Sequence, residues 1–481
     1  MSKKLSTRTK FAYGIGQVGE QVKTRGFDLF VFFYFQQVLG LSGTLTGAAV
    51  AIALVFDAIT DPLAGSLSDN WRSPRGRRHP FMYASAIPLA LFWFLLFFPP
   101  SGLGQTGLFA WLTVFAILVR GAMTLYHVPH LAMGAELSDD YEERTTVVAW
   151  RTLFGLVGGV ATSVIGLRVF FPESTEFPNG MLNPAGYPKV AIFGSVVMFI
   201  TIWYSAWGTR DQIPHLPQMQ EHHERFSWRG MLADYTQAWT NVSFRALFIG
   251  FSFFAIGMGV FQTLQTHMNV FFWELSTKQL SVLPIPFAIG FVTGIVASQR
   301  FHRRFDKKGA MMGALVVVVA LGPLPVVLRL LGLFPENHSP LLLPALIVHG
   351  LFVALLFGVV VTSVGSMMAD VAQELELESD KPQQGVLFSA TSFAGKLASG
   401  GGHVVAGIGL DLIRFPVQAK DPSLVAPELI RNLGVLTLCA IGCNLLGIWS
   451  MSRYGISRES YTASLAALSE RRREAVAEPG E

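Results

Sequence analysis

The sequence predicts an all-α polytopic membrane protein with 12 transmembrane helices in two six-helix bundles. Of its 481 residues, 51% are hydrophobic and 14% are charged, whereas a soluble domain carries about 25% charged residues. Apolar runs of about 20 residues, the length that crosses a hydrocarbon core of ~30 Å, recur from Phe11 to Tyr454. Because these runs are apolar and long enough to span a membrane, lipid is their predicted solvent. A polar gap divides them into two sets of six.

The runs also define the predicted domain organisation. The predicted spans are 11–39, 43–68, 80–99, 106–136, 146–171 and 187–208, then 244–272, 280–300, 310–333, 341–370, 385–413 and 431–454. They give an N-terminal bundle (1–210), a cytoplasmic linker (211–243), a C-terminal bundle (244–457) and a cytoplasmic tail (458–481). The residues before Phe11 are basic and the first apolar stretch is too long for a signal peptide, so we expect the first helix to be retained.

The positive charges lie in particular loops between the apolar runs. The formal net charge is +4, and Lys and Arg cluster at 3–10, 72–79, 210–225, 300–308 and 471–473. Counted by helices, these segments all fall on one side, which the positive-inside rule places in the cytoplasm. We therefore predict a multi-pass protein of the inner (plasma) membrane with both termini cytoplasmic. Its expected partners are membrane lipid and a small-molecule solute, with no nucleic acid and no cofactor, and we expect a monomer.

Two carboxylates stand within the second predicted span. Asp57 and Asp61 are four residues apart and so share a helix face, close to a break at Pro62. An ionised carboxylate in the centre of a membrane helix costs roughly 2.5–3.5 kcal/mol, and two like charges repel, so the pair requires a cation or a proton. Oxygen ligands suit hard metal cations such as Na⁺, and Thr60 and Thr124 are candidates to add hydroxyl oxygens. The alternative is that a structural Arg or Lys from another helix neutralises the pair.

A basic loop follows the second span. With the end of that span, the segment from Gly65 to Arg78 contains one acidic residue, Asp69, and four arginines, of which Arg75, Arg77 and Arg78 lie nearest its end. The loop resembles the signature loop of the major facilitator superfamily, in which such residues form a cytoplasmic latch. The resemblance implies a role in cytoplasmic gating for Asp69 and these last three arginines, whereas a generic positive-inside loop would account for the arginines alone. A basic loop at 303–309 echoes it in the second set, which indicates a parallel repeat.

Several segments together resemble the glycoside, pentoside and hexuronide to cation symporter family of that superfamily. They are Asp57 to Pro62 with Gly65 and Asp69, Tyr13 to Gly19, Leu39 to Ser42, and Ala369-Asp370. The resemblance covers nearly the whole chain and implies a major facilitator fold. It further implies that Asp57, Asp61 and Thr124 bind the coupling cation, H⁺ or Na⁺, and that Arg151 and Lys396 are functional. Independently of it, both basic residues lie in apolar runs, where cations mark pathways or counter-charges.

The chain departs from the family pattern where a sugar would bind. Gln21 and His127 stand where the family has carboxylates, and His130 and Leu131 stand where an aromatic stacking residue is expected. Galactoside specificity is therefore not implied. Gln and His both donate and accept hydrogen bonds, as recognition of a polyol requires. The predicted substrate-binding residues are Gln21, His127, His130, Arg151 and Lys396.

These features predict a secondary active transporter and not an enzyme. Cation or proton binding at the carboxylate pair would favour binding of a sugar or glycoside-like solute between the two bundles, and the bundles would alternate in access. An alternative carrier function is symport of a lysophospholipid or another amphiphile, because lipid symporters of similar fold share these carboxylates. A non-transporting membrane enzyme or receptor is disfavoured, because no nucleophile and base arrangement is recognisable.

Overall fold

A computed structural model describes residues 4–216, 235–379 and 384–457, with 459, 461–464 and 466. No strand occurs in this part of the chain. The helices are α1 (Thr7–Gly26), α2 (Gly43–Asp69), α3 (His79–Leu96), α4 (Gln105–Glu136), α5 (Tyr141–Phe170), α6 (Gly186–Gly208), α7 (Val242–His267), α8 (Thr277–Val282), α9 (Pro284–Leu321), α10 (Leu324–Leu330), α11 (Leu342–Ser379), α12 (Gln384–Leu412) and α13 (Pro427–Met451).

The all-α polytopic prediction is confirmed. Within the described ranges, nine helical segments are long and apolar enough to cross a membrane. One of them contains α9, which consists of two helices joined at Asp306, where φ is 61° and ψ is 168°. α1 and α12 are long helices outside those nine, so the described chain contains the twelve long helices that the sequence predicts. Helices suit this solvent because lipid offers no hydrogen-bond partners to an open backbone.

Two helices continue as π-helical turns beyond their α-helical ends. α1 continues through Phe27–Val31 and Tyr34–Val38, and α7 continues through Met268–Phe272. The helical paths therefore end close to the predicted limits of 39 and 272. Turns of this kind occur frequently at functional sites, and in α1 they follow directly after a run of charged residues.

The first turn and the middle of α2 follow from its sequence. Ser42 caps the first turn, because its side chain accepts a hydrogen bond from the backbone N–H of Leu45. Pro62 lies inside the helix and has no N–H, so the carbonyl of Ala58 loses its usual helical donor. This gap in the hydrogen-bond ladder lies between Asp57 and Asp61.

The chain divides into two compact units. Unit 1 contains Met1–Phe226, Gly259–Ile285 and Ser399–Thr437, and unit 2 contains Ser227–Met258, Pro286–Ala398 and Leu438–Glu481. In unit 1, α1 packs against α5 and α6, and α4 packs against α2 and α3. The core of unit 2 is aliphatic, methionine-rich and aromatic, with Leu247, Met311, Val359, Met367 and Leu387 buried together.

Within unit 1, the first turn of α2 contacts the last turns of α12. The carboxylate of Asp411 accepts hydrogen bonds of 2.8 Å from the backbone N–H groups of Gly43 and Thr44. A Cβ atom at Gly43 would overlap the carbonyl oxygen of Gly407, and a Cβ atom at Gly47 would overlap that of His403. Glycine is therefore required at both positions for the two backbones to approach this closely.

The predicted linker and tail fall mostly outside the described residues. Of the linker 211–243, residues 217–234 are outside them, whereas Arg210–His215 form a 3₁₀ helix and residues 235–238 are helical. Most of the tail 458–481 is also outside them. The domain limits at these two segments stay predictions.

Candidate functional site

The carboxylate pair lies on α2 where that helix faces α4. The hydroxyl of Thr124 lies 2.9 Å from Oδ1 of Asp57 and 3.0 Å from Oδ1 of Asp61. Asp57 and Thr124 are buried, with 8% and 3% of their surfaces exposed, and Asp61 is half-buried. A hydroxyl carries one proton and cannot give a full hydrogen bond to both carboxylates at once. Two like charges therefore lie close together around one hydroxyl.

Arg120 is a member of this site that the sequence analysis missed. It lies one turn before Thr124 on α4, with Nη1 3.4 Å from Oδ2 of Asp57. Its guanidinium stacks over Phe27 at 4.6 Å from the ring centroid, and only 9% of the residue is exposed. The signal was present in the sequence, because an arginine inside an apolar run is costly unless it is paired. For Asp57, the structure thus contains the neutralising arginine that was the alternative to a cation.

The hydroxyl of Thr60 bonds the backbone of its own helix. That hydroxyl donates to the carbonyl oxygen of Phe56 at 3.0 Å and lies 3.3 Å from the carbonyl oxygen of Asp57. Threonine in a helix commonly forms this bond to the carbonyl four residues back. Thr124 is the hydroxyl that contacts the carboxylate pair, and the contribution of Thr60 to a cation site stays a prediction.

The charged residues of α1 are connected to one another. The carboxylate of Glu20 accepts hydrogen bonds from Gln21 at 2.8 Å and from Thr24 at 2.7 Å, and it lies 3.5 Å from Nζ of Lys23. Arg25 pairs with Asp28 one turn later at 3.7 Å. The amide of Gln21 is thus oriented by Glu20, and its role in substrate binding stays a prediction.

The two predicted histidines of α4 differ in their surroundings. His130 is fully buried, with Nε2 2.9 Å from the carbonyl oxygen of Tyr13 and its ring stacked on that of Tyr13 at 4.4 Å. Its ring packs α1 against α4 and its Nδ1 has no hydrogen-bond partner among the described residues, so its role as a substrate ligand stays a prediction. His127 is half-buried, and its Nε2 has no hydrogen-bond partner among the described residues. It interacts electrostatically with Glu20 and Asp61, and its role as a substrate ligand stays a prediction.

The two predicted basic residues of the substrate site lie on different units. Arg151 is half-buried on α5 in unit 1 and interacts electrostatically with His127 and with the phenol of Tyr13. Lys396 is half-buried on α12 and belongs to unit 2. The structure therefore brings Arg151, His127 and the carboxylate pair together within unit 1. Lys396 lies in unit 2.

The predicted gating residues form an ion-pair cluster with one further residue. Arg78 is buried and contacts Asp69 through Nη2, which also lies 2.6 Å from Oε1 of Glu136. Arg77 reaches the same oxygen of Glu136 at 2.8 Å. Glu136 ends α4 and was missed by the sequence analysis, whereas Arg75 is exposed and lies outside the cluster. The gating role of Arg75 therefore stays a prediction.

The oxygens of the pair only partly fit a metal ion. Asp57, Asp61 and Thr124 present oxygens of the kind that hard cations prefer, but Arg120 already contacts Asp57. No group of three or more His, Cys, Asp or Glu side chains that could hold a metal ion occurs in the described part of the chain. The site thus offers a metal ion two carboxylates and one hydroxyl, and one of the carboxylates is shared with a guanidinium.

Two relatives show what the chain is similar to in sequence. It is 31% identical over 163 residues to the putative glycoside/cation symporter YagG of Escherichia coli, which is 34% of this chain and 35% of that protein. It is 22% identical to the isoprimeverose transporter of Lactiplantibacillus pentosus, with 83% of this chain and 79% of that protein covered. For three relatives, YagG among them, the matched segment covers only 32 to 46% of the relative's own length.

The fold is similar to that of the nucleoside transporter NupG. The TM-score with a crystal structure of that protein is 0.60 at 13% identity, with 94% of this chain and 99% of that chain covered. A likeness at this identity concerns the fold alone. The model of the family described as MFS/sugar transport protein matches residues 12–458. With this match over most of its length and its helical fold, the chain belongs to this family of major facilitator transporters, and its relatives include proteins named as symporters.

Proposed function

We propose that the protein couples the uptake of a sugar or glycoside-like solute to a cation by alternating access in the inner membrane. The observation that carries this proposal is the Asp57–Thr124–Asp61 cluster, in which one hydroxyl contacts two carboxylates at 2.9 and 3.0 Å. Two acids this close inside a membrane helix are stabilised when they share a positive charge. A cation bound there changes the free energy of the neighbouring solute site, and the solute changes cation affinity by the same factor.

The neighbourhood of the pair supports a polar, uncharged or weakly charged solute. Gln21, His127 and Arg151 offer donors and acceptors within unit 1, and Nε2 of His127 is available to a hydroxyl. Sugar hydroxyls require both kinds of group. The isoprimeverose transporter and the putative glycoside/cation symporter among the relatives support the same solute class.

We propose the proton as the coupling ion. His127 replaces a family carboxylate and so removes one negative charge near Asp57 and Asp61, which weakens a metal-cation site. Histidine has an ordinary pKa of about 6.5 and can exchange protons near neutrality. The observation in favour of sodium is the oxygen set itself, because Asp57, Asp61 and Thr124 converge without His127.

The experiment is uptake into liposomes containing the purified protein. A panel of glycosides, pentoses and uronates is first screened by thermal shift, with lysophospholipid as a competitor, and the solute that binds is then used. We expect uptake without sodium, driven by an inward proton gradient, and loss of its pH dependence in His127→Gln. Uptake that strictly requires sodium and ignores an imposed pH gradient would restore sodium as the coupling ion. If lysophospholipid competes for binding and sugars do not, the solute class is a lysophospholipid or another amphiphile and not a sugar.

A further inference from the structure

Both oxygens of the Asp57 carboxylate are already approached by donors from α4. Thr124 contacts Oδ1 at 2.9 Å, and Arg120 contacts Oδ2 at 3.4 Å. The two donors are four residues apart on α4 and so occupy the same helix face. A metal ion that used both Asp57 and Asp61 would have to share Asp57 with a guanidinium, and two positive charges on one carboxylate repel.

Arg120 is permanently charged, but its contact with Asp57 is long. Guanidinium stays protonated in proteins, so the group cannot lose its charge to make room for a cation. Its contact with Asp57 is longer than the 2.7–2.9 Å typical of charge-assisted hydrogen bonds. Its Nε has no hydrogen-bond partner among the described residues, and the face of Phe27 supports the group from the other side. Asp28 and Glu20 on α1 also interact with it electrostatically.

We infer that Arg120 is a tethered counter-cation that occupies Asp57 and excludes sodium from the Asp57–Asp61 pair. The two ionised carboxylates and the guanidinium of Arg120 together carry one net negative charge, whereas the carboxylates alone carry two. The site is thus built from the residues of a metal-cation site but does not fit a metal ion while Arg120 remains. The inference rests on the proposed function and deepens it, because it identifies a residue that sets the ion specificity of that site.

Sodium alone is the probe, so no solute is needed. The purified full-length protein is melted in rising sodium chloride, with choline chloride added to keep the ionic strength constant at one fixed pH. We expect the wild type to melt at the same temperature in both salts. Arg120→Gln is expected to gain a saturable, sodium-specific rise in Tm, with sodium affinity at least about tenfold higher than in the wild type.

The matched control is Arg25→Gln. It removes the same charge from the neighbouring helix α1, but Arg25 pairs with Asp28 and not with Asp57. We expect no sodium response from it. We also expect the response of Arg120→Gln to vanish in Asp57→Asn/Arg120→Gln, because the acid that would bind the ion is then neutral.

Three outcomes overturn the inference. They are sodium-specific stabilisation of the wild type equal to that of Arg120→Gln, no sodium response in a folded Arg120→Gln, or an equal gain in Arg25→Gln. If Arg120→Gln does not fold, the wild type decides by itself, because a saturable, sodium-specific rise in its Tm contradicts the exclusion of sodium by Arg120. Failure of proton-driven uptake concerns the proposed function instead, since this assay contains no solute and no gradient.

Discussion

The middle of α2 and its two ends use the same chemical group in different ways. In the middle, Asp57 and Asp61 share one hydroxyl, and Asp57 also contacts an arginine. At the ends, Asp411 receives two backbone hydrogen bonds and Asp69 pairs with Arg78. A carboxylate that is bound by backbone N–H groups or by an arginine at a helix end stabilises one arrangement, whereas two neighbouring carboxylates repel each other unless positive charge lies close to them. The comparison teaches that ion coupling is expected where two acids lie side by side within a membrane helix.

The largest expected effect comes from the middle of α2. Asp57→Asn and Asp61→Asn are each expected to abolish cation-driven accumulation while the protein stays folded in the membrane, because each removes a charge needed to hold the ion. Asp57→Asn is also expected to lower Tm more than Asp61→Asn does, since it leaves the buried Arg120 without this carboxylate. The measurements are concentrative uptake into liposomes and thermal melts. Undiminished accumulation by both variants would remove these carboxylates from the site.

The second largest effect is expected at Lys396 on α12, a basic residue away from the carboxylate pair of α2. Lys396→Met is expected to reduce uptake strongly, and Lys396→Arg to rescue it only in part, because an ammonium and a planar guanidinium present donors differently. The basis is a lysine that lies half-buried within the long helix α12. Uptake is compared at matched expression. Wild-type uptake by Lys396→Met would show that the lysine merely extends to the membrane surface.

The C-terminal end of α2 is expected to show a smaller effect, on stability more than on ion binding. Arg78→Gln removes a buried guanidinium that contacts Asp69 and Glu136, and hydrogen bonds to charged groups contribute about 1.5–3 kcal/mol each. We expect a lower Tm and slower uptake with an unchanged ion requirement. Arg75→Gln is the control, because Arg75 is exposed and outside the cluster. Equal effects of the two variants would contradict the cluster.

The smallest effect is expected at the N-terminal end of α2. Asp411→Asn keeps a side-chain acceptor but loses the negative charge at the N-terminus of α2, a change of about 0.5–1 kcal/mol. The contact joins helices from the two predicted bundles, so the proposed alternating access would require it to open. We expect faster labelling of a cysteine introduced at position 44 by a membrane-impermeant maleimide, with Cys439 and Cys443 replaced by serine.

The contact of Asp411 has a direct comparison within the same segment. Gly407→Val is expected to have a larger effect than Asp411→Asn, because its side chain would overlap the carbonyl of Gly43. Labelling at position 44 that is unchanged in both variants would show that the contact does not control opening.

The sequence determined the fold class and the position of the acidic pair. Lipid restricts the chain to helices about 20 residues long, so apolar length alone fixes where they lie; α2 was predicted at 43–68 and is found at Gly43–Asp69. A carboxylate inside such a run has a high free energy of membrane insertion and is therefore rare, which is why Asp57 and Asp61 could be identified from the sequence alone.

Only the tertiary structure decided which partner each of these groups contacts. Arg120 and Glu136 are visible as charges in the sequence, but their contacts with Asp57 and Arg78 depend on how α4 is rotated toward α2 and its following loop. The predicted ligands on α2 and α4 looked equally suitable, yet the hydroxyl at position 60 bonds its own backbone and the imidazole at position 130 packs on Tyr13. Helical periodicity specifies which residues share a face, whereas the neighbour of that face is set by packing between segments distant in sequence.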